Sequence, residues 1–304
     1  MKCAVVVVAH NSEKHIERCI ESVIELCPGA EIVVVDNAST DGTLEKLRRF
    51  GGSIIRIENE ANEGFARANN MGMRAKKADA YLLLNPDAHL TSNVIAEIRS
   101  HYPGGSEIGI VGPHLVYPDG SYQTSAYSFS SPVKWVLQDL GARRIMLRLR
   151  SSVAGRKLLK ALKLVPLGRP FVAGLLGHAG EEGNESRESV DWVTGACMLI
   201  SRSVFECTGG FDENIFMYGE DEELCFRAKK MGFRVDRVKT GPVVHHCGWK
   251  ESDLAEQIAV RNYESLSYVV DKNYADRPLG RWLMQQILRM RYRRARRHLG
   301  RTED

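Results

Sequence analysis

CAVVVVAHNSEKHIERCIESVIELCPGAEIVVVDN, residues 3–37, holds a complete strand–helix–strand unit. CAVVVVA (3–9) is an unbroken small and β-branched run, the pattern of a strand covered on both faces. Ser12 then stands where a helix N-cap is expected, and Ile16, Cys19, Ile20, Val23 and Ile24 recur at helical spacing. Cys27-Pro28-Gly29 stops that helix, and EIVVVDN (31–37) is a second buried strand. The alternation continues outward. Ser39 offers a cap for a helix carrying Leu44 and Leu47, SIIRIEN (53–59) a third strand, GFARANNMGMRAKK (64–77) a helix, and AYLLLN (80–85) a fourth strand. Four such alternations with short connections predict an α/β chain built on a parallel sheet with helices on both faces.

Ligands of such sheets sit beyond the carboxyl ends of the strands. Here those ends read His10-Asn11, Asp36-Asn37 and Asn85-Pro86-Asp87. Any one of them is ordinary turn chemistry. Together they point to one polar crevice. The first strand–helix turn, AHNSEKH, contains no glycine, which excludes the dinucleotide fingerprint, and no phosphate-cradling Walker loop occurs.

The 304 residues carry 42 Lys and Arg against 38 acids, a net charge of +4 that is mild overall but unevenly spread. Seven cysteines (Cys3, Cys19, Cys27, Cys197, Cys207, Cys225, Cys247) form no C-x-x-C pair and are odd in number, which favours reduced thiols over disulfides or a zinc site. The apolar run at the start is too short for a signal peptide, and no stretch approaches transmembrane length; a cytoplasmic protein is expected.

Between residues 126 and 185 the rhythm breaks. Residues 133–168 mix apolar side chains with many Lys and Arg and the single acid Asp139, and read as basic amphipathic helix. GHAGEEGNESRES (177–189) is the expected flexible loop. Order returns with WVTGACMLI (192–200), read as one strand, and SRSVFECTGG (201–210), read as a short helix closed by Gly209-Gly210. RWLMQQILRMRYRRARRHLGR (281–301) is a second basic helix. The expected organisation is thus 1–125, a basic insertion 126–189, 190–250 completing the first domain, and a helical tail 251–304.

VVVVAHN, VVVDNASTDGT, NEGFARANNMG, YLLLNPDAHL, the long segment 190–233 and VVHHCG together resemble, in order, an inverting nucleotide-sugar glycosyltransferase of family 2. The similarity is greatest to its rhamnosyltransferase-like branch, and the segment 190–233 is its most specific part. The resemblance implies a GT-A fold, a Rossmann-like, mostly parallel sheet flanked by helices. It also implies the reaction, transfer of a glycosyl group from a nucleoside-diphosphate sugar, TDP- or UDP-linked, to an acceptor hydroxyl with inversion.

That chemistry sets three requirements. The charge developing on the diphosphate calls for a divalent cation, Mg²⁺ or Mn²⁺, held by hard oxygen ligands. Where the fold usually has Asp-x-Asp this chain has Asn85-Pro86-Asp87, so Asp87 is the one carboxylate, and the resemblance supplies His245 as a further ligand. His246 would face the opposite way in a strand. The nucleoside needs a cradle, for which the resemblance implies Asp36 as hydrogen-bond acceptor from the base, with His10 and Asn11 beside it, backbone approach at Gly64, Phe65 and Ala66, and polar contact from Asn70. Asp41-Gly42 is assigned to turn and helix-start duty. The acceptor hydroxyl needs a general base. Tyr218-Gly219-Glu220-Asp221 matches the family's Glu-Asp motif, which assigns the base to Asp221, with Glu220 orienting the acceptor or the base. Placed at a helix start, that base is expected to stay ionised with a low pKa. Glu222 and Glu223 are left to the helix dipole and solvent, while Leu224, Ala228 and Met231 are expected to anchor the helix. Trp192, Gly195 and Ala196 open the acceptor half; Trp192 either stacks on a sugar or fills core.

The basic helices suggest docking on an anionic membrane surface, fitting lipid-linked glycan acceptors at its cytoplasmic face; nucleic acid is not expected, since no recognised module accompanies the arginine tail. Two other readings, a sugar nucleotidyltransferase and a non-catalytic sugar-nucleotide-binding or membrane-scaffold protein, lack respectively the glycine-rich basic loop and a reason to keep Asp87, Asp221 and His245.

Overall fold

The computed structural model describes residues 1–103, 107–141, 186–247 and 255–299, with residues 152, 155 and 157 between them. The greater part of the basic insertion expected over 133–168, and of the loop expected over 177–189, lies outside the described residues.

The opening unit forms as β1 (Cys3–Ala9), α1 (Ile16–Leu26) and β2 (Glu31–Asp36). After it come α2 (Thr43–Arg48), β3 (Ile55–Glu58), α3 (Phe65–Ala75), β4 (Ala80–Leu84), β5 (Ala88–Leu90) and α4 (Val94–Ser100). The short strands β6 (Ile110–Gly112), β7 (Leu115–Val116), β8 (Tyr122–Gln123) and β9 (Ala126–Tyr127) lead to α5 (Pro132–Asp139). The second half supplies β10 (Arg187–Ser189), β11 (Trp192–Val193), β12 (Cys197–Ser201), α6 (Arg202–Thr208), α7 (Glu220–Lys230), β13 (Val235–Val238) and β14 (Val243–His245). Two long helices follow, α8 (Ala255–Asn273) and α9 (Pro278–Leu299).

Eight strands form one sheet in the order β10-β13-β6-β12-β4-β1-β2-β3. β1, β2, β3 and β4 run parallel, as does the β6–β13 pair; β12 is antiparallel to both its neighbours and β10 to β13. The two halves of the chain therefore share one sheet. Alternation along β1 divides its core: Val5, Val7 and Ala9 pack with Ile16, Ile20 and Val23 of α1, while Ala4 and Val6 pack with Met73 of α3, Met198 of β12 and Leu224 of α7. A second sheet, β5-β14-β7-β8, lies beyond the end of β4, and β9 pairs with β11.

Several local expectations are corrected. Ser12 does not cap α1; its hydroxyl exchanges hydrogen bonds with the backbone of His10, and its carbonyl accepts from His15 and Ile16. Ile24 is largely exposed. Ser39 accepts from the Asn11 N–H, and Asp41 starts α2 by accepting from the Thr43 N–H at 3.0 Å. The run 192–200 is two strands and not one, because Thr194–Ala196 turn out of the sheet; Thr194 N–H is drawn to the Ser125 carbonyl. Residues 187–189, read as loop, form the edge strand β10. Met231 is exposed just past the end of α7, so Leu224 and Ala228 anchor that helix without it.

Candidate functional site

Three strand ends and one helix start converge. At the carboxyl end of β4, the Asn85 N–H donates to the Ala196 carbonyl at 2.9 Å. One residue back, the Gly195 N–H donates to Asp221 Oδ2 at 3.3 Å. The turn between β11 and β12 thus ties the Asn-Pro-Asp segment to the start of α7. Space at 195 is tight, since a Cβ there would lie 3.2 Å from the Phe65 ring.

Asp87 and His245 meet here. His245 Nε2 lies 3.3 Å from Asp87 Oδ1, with Asn85 Nδ2 3.4 Å from the same nitrogen. His245 Nδ1 faces Gln123 Oε1 at 3.2 Å, which makes Nδ1–H the donor and leaves the Nε2 lone pair towards the carboxylate. Two such acceptors at that separation repel unless a proton or a cation sits between them, so the donor set fits a hard divalent ion. Among the described residues no group of three or more His, Cys, Asp or Glu is clustered for a metal; the pair is completed by an amide alone. His246 turns to the opposite face of β14, its ring 4.4 Å from His15 and 5.9 Å from His89. Lys14 and Arg18 line the cleft there, which Asp87 borders as well.

The nucleoside side is built by β1, β2 and the loop before α3. Asp36 is buried; its Oδ2 accepts from the Ser39 N–H at 3.0 Å, and its Oδ1 has no hydrogen-bond partner. A buried acceptor of this kind is poised for a donor such as a base N–H. His10 Nδ1 is 2.8 Å from the Asn37 carbonyl, and Asn11 Oδ1 accepts from the Thr40 N–H, so both brace the two strand ends. Asn37 itself, named only as a strand-end residue from sequence, is central. Its amide donates to Asn62 Oδ1 and the Gly64 carbonyl and accepts from Asn59 and the Glu63 N–H. The signal was the pair Asn59 and Asn62, whose partner Asn37 is distant in sequence.

Gly64 has φ 81°, and a Cβ there would lie 2.5 Å from the Phe216 carbonyl, to which Phe65 N–H donates at 2.8 Å. The nucleotide-side loop is thereby fastened to the chain leading into Glu220-Asp221. One residue expected at the nucleotide is corrected on this evidence. Asn70 is fully buried and fully engaged, donating to the Phe211 carbonyl and Glu213 and accepting from the Phe211 N–H. The Phe65 ring packs against Gly195 and Phe211, and Ala66 is buried in the core behind it. Trp192 is also resolved towards packing: its ring stacks on Tyr127 at 4.4 Å and its indole N–H donates to the Ser128 carbonyl.

The four acids of α7 divide differently from expectation. Glu222 and Glu223 are buried and not solvated. Glu222 accepts from the N–H and hydroxyl of Ser130, while Glu223 accepts two bonds from Arg227, at 2.6 and 2.8 Å, and pairs with Lys272 at 2.8 Å. They hold the helix in place. Glu220 is buried and Asp221 half-buried beside it at the crevice, following Tyr218 (φ 74°) and Gly219 (φ 92°). Burial pushes the Asp221 carboxyl up to about 6, offset in part by the N–H groups of Glu222 and Gly195. Burial, then the Asp221 charge, raises Glu220 further. The helix start therefore does not hold Asp221 low: desolvation outweighs it.

Glu220 Oε2 has no hydrogen-bond partner. Its raised folded pKa means that its contribution to stability is most favourable below the ordinary carboxylate range and is lost as pH rises. Glu220→Gln should accordingly stabilise the protein at pH 8 by about 2 kcal/mol, with a smaller gain at pH 5. Paired thermal melts check this; a variant that melts lower at both pH values would contradict the burial argument.

With this geometry in view, comparison with known proteins is specific. Residues 4–156 match glycosyl transferase family 2, and residues 178–247 match the N-terminal domain of galactosyltransferase. The N-acetylglucosaminyl-diphospho-decaprenol L-rhamnosyltransferase of Mycobacterium tuberculosis is 26% identical over 305 residues, covering 94% of this chain and 90% of that protein. The low-salt glycan biosynthesis hexosyltransferase Agl10 of Haloferax volcanii is 26% identical over 249 residues, covering 80% of this chain and 66% of that one. Among solved structures, the mannosyltransferase PcManGT from Pyrobaculum calidifontis, in complex with GDP-Man and Mn²⁺, superposes with a TM-score of 0.55 at 17% identity over 98% of this chain and 69% of its own. Glucosyl-3-phosphoglycerate synthase from Mycobacterium tuberculosis, with Mn²⁺ and UDP, gives 0.53 at 18% over 90% and 79%. These neighbours share the GT-A fold, a large, mostly parallel sheet with helices on both sides. The chain belongs to glycosyl transferase family 2 and is a glycosyltransferase of rhamnosyltransferase-like type.

Proposed function

We propose that this enzyme transfers a hexosyl group, rhamnose foremost, from a TDP- or UDP-linked sugar to a hydroxyl of a glycan or lipid-linked glycan, inverting the anomeric carbon. The observation that carries the reading is the half-buried Asp221 carboxylate, bonded to the Gly195 N–H and joined through Ala196 to the Asn-Pro-Asp segment. The acceptor oxygen attacks the anomeric carbon as the bond to the diphosphate breaks, and its proton passes to Asp221. A base whose proton affinity burial has raised is better matched to that task than an ordinary aspartate. Glu220, protonated beside the ionised Asp221, orients the base or the acceptor hydroxyl. Asp36 accepts from the base of the nucleotide, with His10 and Asn11 shaping that end of the crevice. The Gly64 backbone closes on the nucleotide, and Gly195 and Ala196 line the acceptor side.

Asp87, His245 and Asn85 would hold a Mg²⁺ or Mn²⁺ ion, with phosphate oxygens completing its shell. Such an ion neutralises charge on the departing diphosphate. The assignment of domain halves follows the same logic, donor to residues 1–125 and acceptor to 190–250. The proposed setting is the cytoplasmic face of a membrane.

Thermal melts against UDP-, TDP- and GDP-sugars, with and without Mg²⁺ or Mn²⁺, test donor and metal together. Stabilisation by one TDP- or UDP-sugar, enhanced by the ion, is expected; no shift with any of them would sink the donor assignment. Proton NMR of the fresh product then reads the anomeric configuration, and retention would remove Asp221 as base in an inverting displacement.

A further inference from the structure

We infer that α5 and α9 together form a membrane-seating face, with an apolar stripe that enters an anionic bilayer surface and arginines that engage its headgroups. The inference stands apart from the catalytic reading, because it rests on a different surface.

α5, α8 and α9 share a small core of their own, made of Trp135, Val270, Tyr274, Met284, Ile287 and Leu288. Pro132 lies beside Gly280 and Asp139 beside Arg291, so α5 and α9 run side by side in the same direction. α9 meets α8 on another side, through Gln285 with Ser267 and Tyr263 stacked on Tyr292 at 4.7 Å. Once these contacts are made, apolar side chains remain on the outside. On α9 they are Leu279, 71% exposed, Trp282, 57% exposed, Leu283 and Met290. At the spacing of one helical face they lie away from α8. On α5 and its cap they are Val133, Val136 and Leu140, again on one face, 74% exposed at Leu140. The parallel arrangement turns both stripes outward on the same side of the seam.

The charge around this patch selects its occupant. α9 contains seven arginines and no acid. Arg291 is engaged by Asp139 and the Trp135 carbonyl, but helical spacing sets Arg289 and Arg294 along the borders of the apolar stripe and Arg293 in line with it, one turn beyond Met290. A second copy of this chain would have to bury those like charges against each other, whereas an anionic headgroup layer neutralises them while the Trp and Leu side chains enter the acyl boundary. An exposed tryptophan among aliphatic side chains suits that interface. No helix among the described residues is long and apolar enough to cross a membrane, so the contact is one of lying on the surface. The sequence pointed to basic amphipathic helices; the structure adds that the exposed apolar stripes of two of them lie on one side. It also places α8 between this surface and the catalytic loop, since Leu266 and Val269 pack at Gly219 and Arg261 covers the Phe216 ring at 3.8 Å.

The test is co-sedimentation of the full chain with vesicles of phosphatidylcholine alone and of phosphatidylcholine mixed with phosphatidylglycerol. Binding to the mixed vesicles, weakened by salt and much weaker without phosphatidylglycerol, is expected. L279E combined with W282E should lower the partition coefficient by about tenfold or more. R293E combined with R294E should do so by a similar factor through charge alone. Both are exposed positions, so unchanged thermal melts are expected. The inference is overturned if the wild-type protein ignores anionic vesicles, binds phosphatidylcholine equally well, or loses nothing in either double variant. It is overturned as well if light scattering finds a dimer that L279E/W282E dissociates, which would give the face to a second copy.

Discussion

Asp221→Asn should lower the turnover number by about three orders of magnitude while leaving donor affinity near that of the wild type, because the amide keeps the shape and loses the proton acceptor. The same change carries a second, opposite signature. The Asp221 carboxyl is pushed up to about 6 by burial. An acid raised in the folded state contributes most favourably below the ordinary carboxylate range, and that contribution is lost as pH rises through the folded value. The asparagine has no charge to desolvate. The variant should therefore melt at or above the wild-type temperature at pH 8, so that lost activity cannot be assigned to unfolding. In the wild type, kcat/KM should fall as pH drops through about 6, well above the ordinary aspartate value of about 3.9. Wild-type turnover in the variant, or an acid limb near the ordinary value, would remove Asp221 from the role of base.

Arg227→Ala should be among the most destabilising single substitutions in the second half of the chain. Glu223 is completely buried, and Arg227 meets it with two short bonds while donating also to the carbonyls of Thr208 and Gly210 at the end of α6. Removing one partner of a buried pair leaves an under-compensated charge, which costs about 3–5 kcal/mol. Lys272 remains near Glu223 and moderates the loss. A fall in melting temperature on the order of 10 °C follows for a chain of this size. The double variant Arg227→Ala, Glu223→Gln should recover part of it, since the stranded carboxylate is gone. A change below about 1 kcal/mol would mean that this pair behaves like a solvated surface contact.

The comparison of Glu220 and Asp221 with Glu222 and Glu223 shows how far sequence reading reached. Four adjacent acids look alike on a helix start, and the dipole argument treats them alike. Motif similarity separated the pair assigned to chemistry from the other two, yet the fate of the second pair was misread. Solvent was the expected partner; the partners are Ser130, Arg227 and Lys272. Two of those are 92 and 49 positions away, and no local pattern announces them. Asn70 failed for the same reason. A polar residue in a motif near the crevice was read as a contact, whereas its amide closes on Phe211 and Glu213 across more than 140 positions. Thr194-Gly195-Ala196 was absorbed into a strand because its flanks are β-prone, while its backbone is drawn out of the sheet by Ser125 and Asp221.

What the sequence by itself determined is the class of the fold and the neighbourhood of the site. Hydrophobic period and strand-end chemistry are local properties, so the strands and helices from residue 3 to residue 85 and the polar ends of β1, β2 and β4 could be read from spacing alone. Tertiary structure decided what each polar group does. Whether a carboxylate is a base, a strut or a solvated charge depends on its dielectric surroundings and on which donors reach it, and both are set by segments far apart in the chain. The same holds for α5 and α9: their basic character was visible in sequence, but the common apolar face exists only because the two helices pack side by side.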